Sequence, residues 1–552
     1  MCEKLIGVGT RNGRPARSSP TQLRVKYSWI LRRWALIIGL FLGASAWARE
    51  IPITILHTCD LHGNILPTAN YDGQTNLGGL ARCATVIKQI RAERLNHTLL
   101  VDAGDTIQGT AVSYLSEGRV MVRLLNLLRY DAWILGNHEF DWGVDQLTAC
   151  AELAGMPILT ANIQPAGAGA ARLLARVKPY RIIELAGVRV GIIGLTTPGI
   201  PTWSRPPLIA GLKFVDSIET LKTVVPEIRH AGAQVLILVV HQGYRDGGDD
   251  HANQIKAIAS HFPELDVIIG AHTHRNFPEL KVSGVLYTQA EYYGTHLGRV
   301  DLVYDTTVGR VTHRESRTLL LDAHVALDPA VLKECGPELA QAGQAMTAVL
   351  GEATGELDAR SGPKHETAIH NLIFDAIAAA VLQSRKIKVD AIIHGVLDKR
   401  VTLPAGPITV GDVWRTVPYE NKVGICRLTV AELREILDEN AGAYNTAAFR
   451  GIWGLHWEFD PKLAADPTIK LTRPDGTPLA NEEQLTVAFH SYDLAGGGLR
   501  WPKLREIALR PTSQLVETEI QTRQAVVDYV RQQQKITPVT HGWWKAVNET
   551  GR

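Results

Sequence analysis

Ile51-Pro52-Ile53-Thr54-Ile55-Leu56-His57-Thr58-Cys59-Asp60-Leu61-His62 is an apolar run that ends abruptly in polar residue types able to bind a metal. Ile51–His57 predicts a buried strand, and the turn after it carries a carboxylate and an imidazole two positions apart. The arrangement recurs four times. The strand candidates Thr98–Val101, Asp131–Leu135, Val235–Val240 and Val267–Ile269 are each followed by such residues. In order these are Asp102-Ala103-Gly104-Asp105, Gly136-Asn137-His138-Glu139, His241, and Gly270-Ala271-His272-Thr273-His274. Val188–Leu195 is a further strand candidate, and helical stretches such as Leu80–Arg94 and Val120–Leu128 lie between. Apolar strands alternating with helices describe a layered α/β domain whose strands are covered on both faces.

In such a sheet the loops at the strand C-terminal ends converge on one rim. Asp60, His62, Asp105, Asn137, His241, His272 and His274 are thereby expected to meet. Taken alone, any one of these histidines reads as an ordinary loop or core residue, and Asp102 or Asp105 as a helix cap. Seven such residues in five strand-end loops read together as a cage. Carboxylates, an amide and imidazoles suit divalent Mn, Zn, Fe or Co, and not a thiolate site. Two ions need a bridging group, which Asp105 can supply. The chemistry expected of such a pair is in-line hydrolysis of a phosphoester by a hydroxide held between the ions.

The rest of the chain sets the context. Its 552 residues, 45% hydrophobic and 21% charged, suffice for two to four domains. The net charge of +2 hides an asymmetry: residues 1–48 carry +7, leaving about −5 for the remainder. That excludes a basic surface for a nucleic acid polymer on the mature chain. The basic stretch, the apolar run Trp34–Ala44 and the Ala46-Trp47-Ala48 pattern have the layout of a secretory signal. Residues 1–48 are therefore read as the signal peptide of a periplasmic or secreted protein, with no stable membrane span after cleavage. An uncleaved anchor is the alternative. Six scattered cysteines, five after cleavage, form no disulfide framework.

Residues 49–322 hold the first domain and 323–358 a helical linker. A second α/β domain spans 359–540, and 541–552 is a tail. In the second domain, Glu366–Gln383 has helical apolar spacing and Thr429–Glu432 is a capping box. Val389–Ile393, Gly424–Leu428 and Gln484–Phe489 are strand-like.

His57 to Asn64, Gly104-Asp105, the run Gly136-Asn137-His138-Glu139-Phe140-Asp141, His241 and Gly270 to His274 resemble the calcineurin-like metallophosphoesterases. More narrowly, nearly the whole mature chain resembles the bacterial periplasmic 5′-nucleotidase and UDP-sugar hydrolase family. The resemblance implies a four-layer α/β/β/α catalytic domain followed by an α/β substrate domain. It gives Asp60, His62, Asp105 and His274 to one metal, and Asp105, Asn137, His241 and His272 to the other. It makes His138, oriented by Asp141, the group that stabilises the transition state. Cys59 departs from the asparagine common in the family, and a buried strand-end residue is its plainest reading.

For the second domain the resemblance is partial. Arg400 falls at a phosphate-binding arginine, and His365 where another substrate arginine is common. Tyr419, in Pro418-Tyr419-Glu420-Asn421, and Tyr492 fall at two aromatic positions that clamp a base, with Asn421 in the same motif. Gly498 stands where the family has a ribose-binding aspartate, and Val396, Leu397 and Asp398 replace a glycine-rich lead-in. Arg450 reads equally as a cleft cation or a surface residue. The function implied is 5′-nucleotidase activity, releasing phosphate from nucleoside 5′-monophosphates or related small phosphate esters. The alternatives are a phosphodiesterase acting on 2′,3′-cyclic nucleotides or nucleotide sugars, a thiosulfonate-type hydrolase, and a non-catalytic secreted binding protein on the same scaffold.

Overall fold

The computed structural model describes residue 13 and residues 49–548, except 168, 361, 363, 397–399, 464 and 465. The segment read as a signal peptide lies outside the described residues apart from Gly13, as do Leu397 and Asp398. Asp305–Gly309 belongs with Arg49 and Glu50 in a small unit, in which the Arg49 N–H donates to Thr306 Oγ1 at 3.2 Å. The larger unit runs from Ile51 to Tyr304 and from Arg310 onward.

Two sheets form the centre of the first domain. The seven-stranded sheet runs Glu50–Thr58, Thr98–Asp102, Ala132–Ile134, Ile158–Leu159 and Val177–Lys178 in parallel, with His296–Asp305 and Arg310–Leu320 beyond the first strand. The six-stranded sheet is parallel through Val188–Leu195, Val235–Val240, Val267–Ile269 and Val285–Ala290, with Tyr180–Leu185 and Asn276–Val282 antiparallel at its edges. Alternate side chains leave opposite faces of a strand. Ile53, Ile55, Leu99, Val101 and Ile134 thus meet Val190, Ile192, Val235, Ile237, Val239 and Ile269 in one core between the sheets.

The intervening residues face outward into helices. Leu56, Leu100 and Trp133 pack with residues of the helices Leu80–Glu93, Arg119–Leu127 and Gly143–Leu153. Leu236, Leu238 and Val240 pack with the helices Ser217–His230 and Ile255–His261. The result is the expected α/β/β/α sandwich. It explains why these strands read as unbroken apolar runs rather than as alternating ones.

The helix Pro329–Thr347 follows, N-capped by Asp328 through the amides of Ala330 and Val331 at 3.0 Å each. The next segment is not helical. Val349–Ala353 is a strand that pairs with Gly406–Thr409 and with Lys535–Ile536. The second domain is built on a five-stranded sheet in the order Gly451–Trp453, Ala391–His394, Gln484–His490, Lys422–Thr429 and Val516–Gln521. The helices Ala368–Arg385, Val430–Ala441 and Thr522–Gln533 cover it. The Thr429 capping box closes at both ends with Glu432. Among the described residues, no helix is long and apolar enough to cross a membrane. The five described cysteines are free and buried.

Candidate metal centre and substrate cleft

Each strand-end loop delivers its side chains to one place. Asp60, His62, Asp105 and His274 present ligand atoms within 4.8 Å of one another, and Asp105, His241 and His272 form a second such group. Asp105 belongs to both. Its Oδ2 lies 3.7 Å from His62 Nε2 and 3.2 Å from His241 Nε2. Asn137 joins the second group through Oδ1, 3.2 Å from His241 Nε2. Asp60 Oδ1 lies 3.5 Å from His274 Nε2, and the His272 amide donates to both Asp60 oxygens at 3.0 and 3.1 Å.

The backbone is bent to achieve this. Asp60, His62, Asp105, His272 and His274 all hold φ between +46° and +71°, a left-handed region costly for residues with a Cβ. Such strain persists only where surrounding bonds enforce it, and it gathers at functional sites. Two glycines let the loops touch: a Cβ on Gly136 would stand 2.2 Å from Asp105 Oδ1, and one on Gly104, at φ +95°, 2.6 Å from the Gly136 nitrogen.

The donor set fits two divalent ions on its own chemistry. Two buried carboxylates, an amide oxygen and four imidazoles converge, and one carboxylate is common to both groups. Burial drives the His62 and His272 imidazoles down to about 3, so both rings are neutral, the form that ligates. The outer nitrogens of two other rings are tied back. His241 Nδ1 lies 2.8 Å from the Ala103 carbonyl, and His274 Nδ1 lies 2.7 Å from the Tyr71 hydroxyl. Tyr71 itself stacks on Tyr292 with ring centres 4.2 Å apart.

Glu139 does structural work that the sequence left unread. Its buried carboxylate accepts from four backbone amides: Asp105 at 2.8 Å, Thr106 at 2.6 Å, Ile107 at 3.2 Å and Gly136 at 2.6 Å. It thereby fastens the Asp105 loop to the Asn137 loop. Asp102 caps no helix; it ties its own loop to the first strand, accepting from Thr58 Oγ1 at 2.6 Å, the Gly104 amide at 3.0 Å and Thr106 Oγ1. Cys59 is buried beside the cage, its thiol donating to the Glu291 carbonyl at 3.3 Å, and burial first raises it far above the ordinary thiol range.

His138 stands next to the cage, its ring centre 5.1 Å from that of His62. Its Nδ1 lies 2.7 Å from Asp141 Oδ2. Burial opposes a charge on this imidazole, but Asp141 and then Asp105 outweigh it and raise the group to about 10. The ring is thus a cation at neutral pH.

A cleft of about 1150 Å³ opens from this point, lined by Asn137, His138, Asp141 and His272 of the catalytic domain and by Tyr419, Asn421 and Tyr492 of the second domain. Three of the five expected substrate residues therefore line it. Arg400 donates to the Tyr71 carbonyl, with its guanidinium 6.0 Å from the Tyr71 ring, whose hydroxyl lies 2.7 Å from His274 Nδ1. His365 is exposed, three positions before the helix Ala368–Arg385, and does not line the cleft. Arg450, read evenly as cleft cation or surface residue, is 4% exposed and forked onto Asp493 at 2.8 and 3.0 Å. Asp493 is thereby committed to a cation.

Sequence reasoning missed Trp203, Arg205, Glu420, Lys422 and Arg500, all of which line the cleft. Glu420 receives the Trp142 indole N–H, and burial pushes its carboxyl up to about 7. Trp203, Arg205 and Arg500 are marked in the sequence only by a lone aromatic or charge, and Lys422 stands at the start of the strand Lys422–Thr429.

Residues 53–276 match the calcineurin-like phosphoesterases, and residues 346–506 match the C-terminal domain of the 5′-nucleotidases. The snake venom 5′-nucleotidase of Naja atra is 28% identical over 89% of this chain and 98% of its own. The 5′-nucleotidase of Homo sapiens is 27% identical over 91% and 92%. Among solved structures, the 5′-nucleotidase precursor from Thermus thermophilus superposes with a TM-score of 0.70 at 25% identity, covering 90% of this chain and all of that one.

Proposed function

We propose that this chain, a calcineurin-like phosphoesterase that carries a 5′-nucleotidase C-terminal domain and is a metal-dependent phosphoester hydrolase, releases phosphate from nucleoside 5′-monophosphates. One observation carries the reading: a single cleft is lined by two residues of the cage, Asn137 and His272, by His138, and by two aromatic rings, Tyr419 and Tyr492. Its relatives named as 5′-nucleotidases support the choice of substrate.

Asp60, His62, Asp105 and His274 would hold one divalent ion, and Asp105, Asn137, His241 and His272 the other. Ions bound there supply Lewis acidity toward water and the phosphoryl oxygens. The chain's own groups do the rest. His138, held cationic by Asp141, faces the reacting phosphoryl group and offsets negative charge that grows in the transition state. Asp141 fixes its ring and keeps the proton on Nδ1, leaving Nε2 to face the substrate. Tyr419 and Tyr492 offer ring faces to a base, and a base-to-aromatic stack contributes ~1–3 kcal/mol. Asn421 lies beside them, its Oδ1 accepting from Ser491 Oγ at 3.3 Å. Arg400 would act from the Tyr71 side, where it donates to the Tyr71 carbonyl. Residues 1–48 would direct the chain to the periplasm or the exterior.

The test is a metal-reconstituted assay of residues 49–552 against AMP, other mononucleotides, UDP-glucose, 2′,3′-cyclic nucleotides and an aryl phosphate diester. Fastest release of inorganic phosphate from the mononucleotides is expected. Turnover confined to the diesters would replace this reading with a phosphodiesterase.

A further inference from the structure

We infer that Tyr71 is a positioning residue of the metal centre: its phenol holds His274 in place and so sets how tightly the first ion, but not the second, is bound; the inference rests on the two-ion reading of the cage. His274 turns its Nε2 into the first group, 3.1 Å from His62 Nε2 and 3.5 Å from Asp60 Oδ1. It stands in an irregular loop beyond the strand Val267–Ile269, at φ +53°. No helix or strand therefore fixes the direction of its ring.

The outer nitrogens of the ion-binding rings are held by different kinds of group. Those of His62 and His241 face backbone carbonyls, Gln108 at 3.2 Å and Ala103 at 2.8 Å. That of His274 faces a side chain, the Tyr71 hydroxyl at 2.7 Å. With an ion on Nε2 the ring keeps its proton on Nδ1 and donates it to the phenol oxygen. The phenol O–H is then free to turn toward the Tyr293 hydroxyl, 3.3 Å off. An outer partner of this kind fixes the tautomer and the ring direction of a ligating histidine, and its loss lowers metal affinity about 10- to 100-fold.

Tyr71 is 42% exposed, yet its place is fixed from several sides. It lies in a loop that Thr68 and Leu77 close with two backbone hydrogen bonds, of 2.8 and 3.0 Å. Asn70 Oδ1 accepts from the amides of Asp72 and Gln74 at 3.1 and 2.9 Å, which bends the chain around Tyr71. The Tyr71 amide donates to the Tyr292 hydroxyl at 2.9 Å, and the Tyr71 carbonyl accepts from Arg400 of the second domain. The Tyr292 ring stacks on Tyr71 and also on His274, with centres 4.2 and 5.3 Å apart. The phenol oxygen is thus delivered to His274 by a braced turn. Tyr71 is not among the residues that line the substrate cleft, so its effect falls on the ion.

The experiment titrates the metal-free full chain with Mn2+ and follows the free ion by electron paramagnetic resonance. The parent is expected to take up two ions, and His274→Ala identifies the step that belongs to the first. Tyr71→Phe keeps the ring stack and removes only the hydroxyl. It is expected to weaken the first-ion step by about 10-fold or more, to leave the other within about 2-fold, and to melt, metal-free, near the parent temperature. In the His274→Ala background the same change is expected to have no further effect, because the two residues act as one unit. A Tyr71→Phe chain that binds both ions as the parent does would overturn the inference and leave the two-ion reading in place. Equal weakening of both steps, or an undiminished effect in the absence of His274, would overturn it as well. Uptake of a single ion by the parent would remove the two-ion reading and the inference together.

Discussion

Replacing Glu139 by glutamine keeps the size and shape of the side chain and changes one oxygen into an NH2. In the structure each Glu139 oxygen serves two backbone amides: Oε2 those of Asp105 and Gly136, Oε1 those of Thr106 and Ile107. Glutamine satisfies only one pair; the other two buried N–H groups then point at a donor. A buried donor without an acceptor costs ~1–3 kcal/mol, so the pair loses ~2–6 kcal/mol. Relief from burying a carboxylate beside Asp105 offsets part of this, and the net expectation is a loss of about 2–4 kcal/mol. For a domain of this size that lowers the melting temperature of the catalytic domain by about 5–10 °C. The Asp105 and Asn137 loops loosen together, so metal affinity falls with stability. Differential scanning calorimetry of the metal-free chain, with titration of Mn2+ or Zn2+, reads both quantities. A Glu139→Gln protein that melts within about 1 °C of the parent and binds ions equally well would refute the reasoning.

Three further outcomes are expected. His138→Gln and Asp141→Asn should each lower kcat by about 10²-fold or more while mass spectrometry finds the ion content unchanged, because both groups act beside the cage and not in it. Arg450→Met should destabilise the second domain by about 3–5 kcal/mol in urea unfolding, since it leaves Asp493 buried and unpaired. His370, His394 and His490 are lowered chiefly by burial to about 3, 4 and 3. The unfolded chain takes up their protons below about 6.5 and the folded one does not until about 4. Stability of the second domain should therefore fall as pH drops from about 6.5 toward 4, by up to ~1.4 kcal/mol per pH unit for each histidine. Urea midpoints at several pH values read this slope, which His370→Gln should make shallower; a flat profile would contradict it.

Much of this architecture was legible in the sequence for one physical reason. Val235–Val240 and Val267–Ile269 are buried on both faces, so an unbroken apolar run both signals the strand and ends where the strand ends. The residues of the cage follow at once, and the sheet itself brings them together. The contacts that were not legible join loops with no periodicity. Glu139 finds its four amides through tight turns, Arg450 finds Asp493 across 43 positions, and Trp203 meets Gly498 across the two domains. Val349–Ala353, with its small and polar residues, carries too little apolar alternation to be told from a linker. Arg400 and His365 were placed by resemblance alone, and neither is among the described residues that line the cleft.

The whole account depends on Asp105 being shared by two ion sites. Counting ions bound per chain, by native mass spectrometry on the parent and on Asp105→Asn, puts that to the test. Two divalent ions on the parent, fewer on the variant, and loss of phosphate release with unchanged folding are the predicted result. A single ion on the parent, or two ions and full turnover in Asp105→Asn, would contradict it.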